Sequence, residues 1–212
     1  AAPATETVMI PVGERRTACV SSQIGCPVGC RFCASGIGGL EGNLSAGRIV
    51  EQAHRLSRLA TGPISNVVFM GMGEPLANYA EVIKAITAIN APWGMGIGAR
   101  RITVSTVGLP AAIRRLAEFP IPVTLSLSLH APDDHLRREL IPWAEHATIN
   151  EILSACNDYF NATGREITIE YLLLRGVNDR TRHARQLADL ARSLRCNINL
   201  IRYNEVDGLP YR

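Results

Sequence analysis

Cys26-Pro-Val-Gly-Cys30-Arg-Phe-Cys33 is the stretch whose residue types and spacing could do chemistry. Its thiols follow one another at intervals of four and three, in a segment broken by Gly25, Pro27 and Gly29. Cysteine thiolates are the usual ligands of a cubane iron–sulfur cluster, so three of them leave one of its four irons open to a small molecule. Zinc competes for the same residues, because Cys19, Cys26, Cys30 and Cys33 could form an all-thiolate tetrahedral site. The cysteines by themselves leave both metals open.

Gly71-Met-Gly-Glu-Pro75 is the second such stretch. Its glycines let backbone approach a ligand closely, and Glu74 offers a carboxylate that can accept from an ammonium. Alone it is a weak sign, since strand-to-helix turns often contain Gly and Pro.

These residues need a scaffold. Apolar patterning predicts strands over Thr17–Ser22, Asn66–Met70, Arg101–Ser105, Val123–Leu129, Glu166–Leu173 and Cys196–Leu200. Between them it predicts a helix capped by Ser45 with Ile49, Val50, Ala53 and Leu56 inward, then helices over Tyr79–Asn90, Ala111–Glu118, Ile149–Phe160 (started by Asn150) and Thr181–Leu194. Strand–helix alternation of these lengths implies crossovers and a parallel sheet, two strands short of a closed eight-stranded barrel. The unusual residues fall where the strands end: the cysteine loop, Gly71–Pro75, Ser105, Ser128-Leu-His130 and Asn204. In parallel α/β barrels those ends build the active site, and a structural zinc knuckle would not need such convergence.

The 212 residues are 47% apolar, enough for one large domain with its own core. A net charge of +3 is too small to announce a nucleic-acid binder. Lys84 is the only lysine, which a GC-rich genome explains more simply than phosphate binding does. Four of the six cysteines crowd into residues 19–33, which argues for a metal site in a reducing compartment over a secreted disulfide framework. No membrane-length apolar run or signal pattern is present, so the expectation is a cytoplasmic protein without a membrane partner. The first residue is not methionine, and the chain stops after Tyr211-Arg212, as an excised segment would.

Taken together, these stretches resemble the radical SAM superfamily (SAM, S-adenosylmethionine) and, within it, the RlmN/Cfr family. The likeness rests on the Cys-x3-Cys-x2-Cys pattern with Phe32 before its last cysteine. It rests further on Cys19-Val-Ser-Ser-Gln-Ile-Gly-Cys26, Val68-Phe-Met-Gly-Met-Gly-Glu-Pro75, Ser126-Leu-Ser-Leu-His-Ala131 and Ile169-Glu-Tyr-Leu-Leu-Leu174, and it runs over nearly the whole chain. The resemblance implies a partial (β/α)6 TIM-like barrel with a 4Fe-4S cluster on Cys26, Cys30 and Cys33. It implies SAM contacts at Gly73, Glu74, Ser105, Ser128, Leu129, His130 and Asn204. The implied activity is methylation of adenine carbon 2 in 23S rRNA and tRNA, through a methylated cysteine and a covalent enzyme–RNA adduct. A flavodoxin-type electron donor, a monomeric state and a disulfide bond come with the same resemblance.

Release of the adduct then needs a second thiol and a base, which match Cys19 and Glu6. Without the resemblance, Cys19 reads as a buried core thiol and Glu6 as a solvated surface carboxylate. Cys156 and Cys196 read as structural, and the pairs Arg100-Arg101, Arg114-Arg115 and Arg137-Arg138 as solvated surface before phosphate ligands. Three departures stand out. The family's methyl-carrying cysteine lies beyond the last strand, where this chain ends before it, so the segment is expected to be incomplete for methyl transfer. The family's small N-terminal domain has no counterpart in this chain. Arg202-Tyr-Asn-Glu-Val also replaces a more usual Pro-aromatic-Asn-Pro-Phe. Methylation at carbon 8, as in Cfr, is the alternative. A radical SAM reaction of another type would have no need of Cys19 and Glu6, and a non-catalytic cluster- or RNA-binding module would not cleave SAM.

Overall fold

The computed structural model describes residues 4–60 and 62–212. Strands β1 (Val8–Val12) and β2 (Arg15–Cys19) form an antiparallel hairpin, and β3 (Gln23–Gly25) pairs antiparallel with β4 (Leu40–Asn43). Then come α1 (Ala46–Leu59), β5 (Asn66–Phe69), α2 (Tyr79–Asn90), β6 (Ile102–Thr106), α3 (Pro110–Ala117) and β7 (Thr124–Ser128). The chain continues through α4 (Asp134–Leu140), α5 (Ile149–Thr163), β8 (Ile167–Leu173), α6 (Thr181–Ala191) and β9 (Cys196–Arg202). The main sheet has the order β1-β2-β5-β6-β7-β8-β9, parallel throughout from β2 to β9.

Each parallel strand presents two different faces because its side chains alternate. Ala18, Val67, Phe69, Ile102, Val104, Leu125, Leu127, Ile167 and Ile169 are buried in one cluster with Ile49, Leu56, Ile86, Ile113 and Ile152 of the helices. Each fully buried Ile or Leu contributes ~1.5–3 kcal/mol, so this layer fixes the register. The opposite face carries Thr17, Thr103, Ser105, Ser128, Glu170 and Asn199, all lining one interior cavity. Ile10 of β1 and Ile201 of β9, from the two edge strands, line that same cavity. The sheet is therefore curled into the expected partial barrel of six parallel strands.

Ser45 caps α1, accepting from the Arg48 N–H at 3.4 Å. The strand expected over Thr17–Ser22 lies earlier, at Arg15–Cys19. Beyond it the buried Gln52 side chain accepts from the Ser21 N–H at 2.8 Å and donates to the Ser21 carbonyl at 2.9 Å. The start of α5 also differs from expectation: Thr148, and not Asn150, is the cap, in a reciprocal capping box with Glu151. β1, the β3–β4 hairpin and α4 had no clear periodicity to announce them, because each is too short for a pattern to accumulate. Among the described residues, no helix is long and apolar enough to cross a membrane.

Candidate active site

The cavity occupies about 940 Å³ at the carboxyl ends of the parallel strands and extends down the barrel. Cys26, Cys30, Cys33, Gly73, Glu74, Ser105, Ser128, His130 and Asn204 all line it. Leu129 does not: its side chain is fully buried in the outer apolar layer, leaving only its backbone between Ser128 and His130. Glu6 and Cys19 are also outside the lining. Glu6 is exposed, and Cys19 ends β2.

The β3–β4 hairpin carries the cysteine loop. At Gly25 the backbone has φ +71°, and a Cβ would stand 2.0 Å from the Gly39 carbonyl oxygen, which takes the Cys26 N–H at 2.9 Å. Only glycine fits there. On its other side the loop packs Val28 and Phe32 against Leu140, Ile141 and Tyr203. The Tyr203 hydroxyl donates to the Phe32 carbonyl at 3.2 Å, and the Arg31 N–H to that of Leu140 at 3.0 Å. Burial, then the neighbouring Cys33 and Cys26, push the Cys30 thiol far up, while Arg137 opposes them. Burial likewise raises Cys26. All six cysteines are free thiols, so the expected disulfide is not formed.

Glu74, only 3% exposed, accepts from the Val107 N–H at 2.8 Å and the Leu76 N–H at 2.9 Å. Burial pushes its carboxyl up to about 7 against the pull of those amides. Gly73 has φ +101°, and a Cβ there would lie 2.6 Å from the Gln23 Cβ and 2.8 Å from the Ser22 Oγ. That Ser22 hydroxyl is the one buried side-chain polar atom without a hydrogen-bond partner among the described residues.

Ser105 and Ser128 face each other across adjacent strands, their hydroxyl oxygens 3.2 Å apart. His130 adopts φ 56°, an unusual conformation for a residue with a Cβ. Its ring stands edge-on to Phe32 with centroids 5.2 Å apart. Its Nδ1 accepts from the Leu172 N–H at 3.1 Å. Burial, and secondarily Arg137, depress its pKa to about 3, so the ring is neutral with the proton on Nε2.

Glu6 and Cys19 are nonetheless neighbours. The β1–β2 register opposes Val8 to Cys19, and the Thr7 hydroxyl donates to the Cys19 carbonyl at 2.8 Å. Burial raises the Cys19 thiol, the Met70 backbone lowers it, and Glu6 raises it. Cys156 is fully buried in α5, and Cys196 opens β9 at the end of the sheet opposite the cysteine loop.

Three features escape sequence reasoning. Glu170, buried in the barrel, accepts from the Ser126 hydroxyl and from Asn199 Nδ2, both at 2.7 Å. A lone acid in the apolar run of β8 was the available signal. Arg137 is 1% exposed, which corrects the surface reading of the Arg137-Arg138 pair. It sits in an amphipathic stretch with nothing to distinguish it from Arg138. Arg114 and Arg115 also have partners, Asp158 at 2.7 Å and the Tyr79 ring at 4.1 Å.

Residues 20–188 match the radical SAM superfamily. The chain belongs to that superfamily. A relative from Gloeobacter violaceus, named a probable dual-specificity RNA methyltransferase RlmN, is 49% identical over 206 residues, 97% of this chain and 59% of the relative. One of the same name from Rhodopirellula baltica is 50% identical over 209 residues, 98% of this chain and 56% of the relative. A radical SAM methyltransferase from Sphaerobacter thermophilus superposes with TM-score 0.93 at 45% identity, over 98% of this chain and 62% of that one. The chain thus spans about six-tenths of the length of the curated relatives it matches. Streptococcus suis SuiB, solved with S-adenosylmethionine, shares the fold at TM-score 0.59 and 17% identity, over 88% of this chain and 39% of that one.

Members of the radical SAM superfamily use a 4Fe-4S cluster and SAM, and the residues present fit both. Among the described residues no three His, Cys, Asp or Glu groups could hold a single metal ion. A cubane asks something different, because each thiolate reaches its own iron. Three thiols on one loop, all lining one cavity, are a donor set of that kind. Beside them Gly73 and Glu74 line the same cavity, Gly73 packed so closely on Gln23 and Ser22 that a Cβ has no room.

Proposed function

We propose that this chain is the catalytic core of an RNA methyltransferase acting on carbon 2 of adenine in 23S rRNA and tRNA. The single observation that supports this most is 49–50% identity, over nearly all of the chain, to relatives bearing the RlmN name. Carbon 2 of adenine is not nucleophilic, so it cannot attack a methyl sulfonium directly, and a radical route meets that difficulty. When bound, the cluster and SAM supply one-electron cleavage chemistry and the methyl group.

The chain's own residues bind, orient and handle protons. Cys26, Cys30 and Cys33 hold the cluster, and Glu74 accepts from the SAM ammonium with a carboxylate already oriented by two backbone amides. Ser105, Ser128 and Asn204 present polar groups to SAM from three strand ends, with Gly73 and the Leu129 backbone completing the contact. His130 offers an Nε2–H donor. The route passes through a methylated cysteine and a covalent enzyme–RNA adduct. Glu6 removes the proton that lets the adduct collapse, and Cys19 is the thiol that completes release. Residues 1–212 are the single-domain core of a monomeric cytoplasmic enzyme with a flavodoxin-type donor.

The test is mass spectrometry of adenosine from 23S rRNA and tRNA treated with the full-length protein, SAM and a reductant under anaerobic conditions. 2-Methyladenosine supports the reading. 8-Methyladenosine replaces it with the Cfr-like alternative, and unmodified RNA with full SAM cleavage points to another radical SAM reaction.

A further inference from the structure

Arg137 is a buried cation with no carboxylate paired to it among the described residues. It is 1% exposed, and its guanidinium donates through Nε to the Leu129 carbonyl at 3.3 Å and through Nη2 to the Val107 carbonyl. Both acceptors are neutral. None of the ion pairs among the described residues includes it. Asp134, on the same helix, spends its Oδ1 on the Ile149 N–H at 2.8 Å. A guanidinium stays charged even in such a place. An uncompensated buried ion costs several kcal/mol, so the position calls for an anion that the apoprotein does not supply.

The cysteine loop is where that anion would form. The Arg31 N–H donates to the Leu140 carbonyl at 3.0 Å, fastening the loop to α4, the helix that carries Arg137. Cys26, Cys30 and Cys33 pack in one cluster with Leu136 and Leu140 of the same helix. Burial lowers Arg137 to about 10, and a thiolate at Cys30, then Asp134, opposes this. A cubane held by three thiolates is anionic, and one added electron makes it more so.

We propose that Arg137 is the counter-ion of the cluster held by Cys26, Cys30 and Cys33, and that its charge raises the cluster's reduction potential. The inference rests on the assignment of those cysteines to the cluster. It makes Arg137 a positioning residue that acts through the cluster and touches no substrate. A fixed positive charge stabilises the reduced, more negative cluster over the oxidised one. It therefore helps the electron arrive while limiting how strongly the reduced cluster can reduce SAM.

The experiment is a dithionite titration of the reconstituted full-length protein, followed by electron paramagnetic resonance, with iron content measured alongside. Dithionite donates the single electron that the cluster accepts, and no proton need move. In Arg137→Met the ratio of reduced to oxidised cluster at fixed potential should fall about tenfold, a shift of ~59 mV to more negative potential. Arg137→Lys, which keeps the charge and loses the fork, should stay within about threefold of wild type. Arg137→Gln serves as the charge-free member of the pair if the Met variant does not fold. Retention of the cluster by the Lys variant, with loss from both charge-free variants, also supports the proposal. Equal shifts in the Lys and charge-free variants, an unshifted Met variant with full iron, or loss of the cluster from all three would overturn it. Wild-type protein that takes up no iron would instead overturn the cysteine assignment.

Discussion

The Val107 N–H donates to Oε2 of Glu74 at 2.8 Å, which ties the turn after β5 to the end of β6 across the mouth of the barrel. With Leu76 holding the other oxygen, the carboxylate is oriented before any ligand arrives. Replacing it should therefore act on binding and on stability together. Glu74→Ala should weaken SAM binding by ~1.5–3 kcal/mol, about ten- to over a hundredfold in Kd, and should also lower Tm. Calorimetric titration and thermal melts would measure both, and Glu74→Gln, which keeps the shape, should lose binding more than stability.

The same carboxyl predicts a pH dependence. Its folded pKa, about 7, lies above the ordinary carboxylate range, so the native state holds an extra proton between the two values. Its contribution to stability is then greatest in acid and falls as pH rises through about 7. Affinity for the SAM ammonium should run the other way and increase across about pH 6–8, as the carboxylate forms. A Kd that is flat over that range would remove Glu74 from the ammonium site.

His130 carries the opposite sign. Burial depresses its folded pKa to about 3 from an ordinary 6.5. Its stabilising contribution is thus complete above the ordinary value and is lost as pH falls toward the folded one. His130→Asn should flatten the acid side of the Tm–pH curve. Asparagine tolerates positive φ, and its Oδ1 can still accept a backbone N–H. An unchanged acid slope would contradict the neutral, buried ring.

Gly73→Ala should be disproportionately harmful for one methyl group. A residue with a Cβ at this φ costs ~1–3 kcal/mol, and the added carbon meets Gln23 at 2.6 Å. The Gln23 Oε1 accepts the Glu74 N–H at 2.8 Å, so pushing Gln23 aside also displaces Glu74. The expected result is a Tm lower by several degrees and a loss of SAM affinity comparable to that of Glu74→Ala.

The cysteines should separate into two classes. Alanine at Cys26, Cys30 or Cys33 should abolish iron–sulfur absorbance, whereas Cys19→Ala should leave it intact. In the full-length protein, Cys19→Ala should accumulate a covalent protein–RNA adduct, visible as a shifted band that RNase removes. Fully methylated, released RNA from that variant would end the role given to Cys19.

The sequence by itself determined the layering and the place of the site. Apolar runs such as Asn66–Phe69 and the helical spacing of Ile49, Ala53 and Leu56 fix which faces are buried, because burial is a local property repeated along the chain. The cysteine triad and Gly71–Pro75 were legible because their spacing lies within a single loop. Tertiary structure alone decided which residues share the interior. Leu129 turns outward although its neighbours turn in, since strand alternation allows only every second side chain to face the cavity. Glu170 finds Ser126 and Asn199 only because β7, β8 and β9 lie side by side. Arg137 and Arg138 are the same residue type at adjacent positions. The helix rotates one of them under the cysteine loop and the other into solvent, a difference set by what packs against α4.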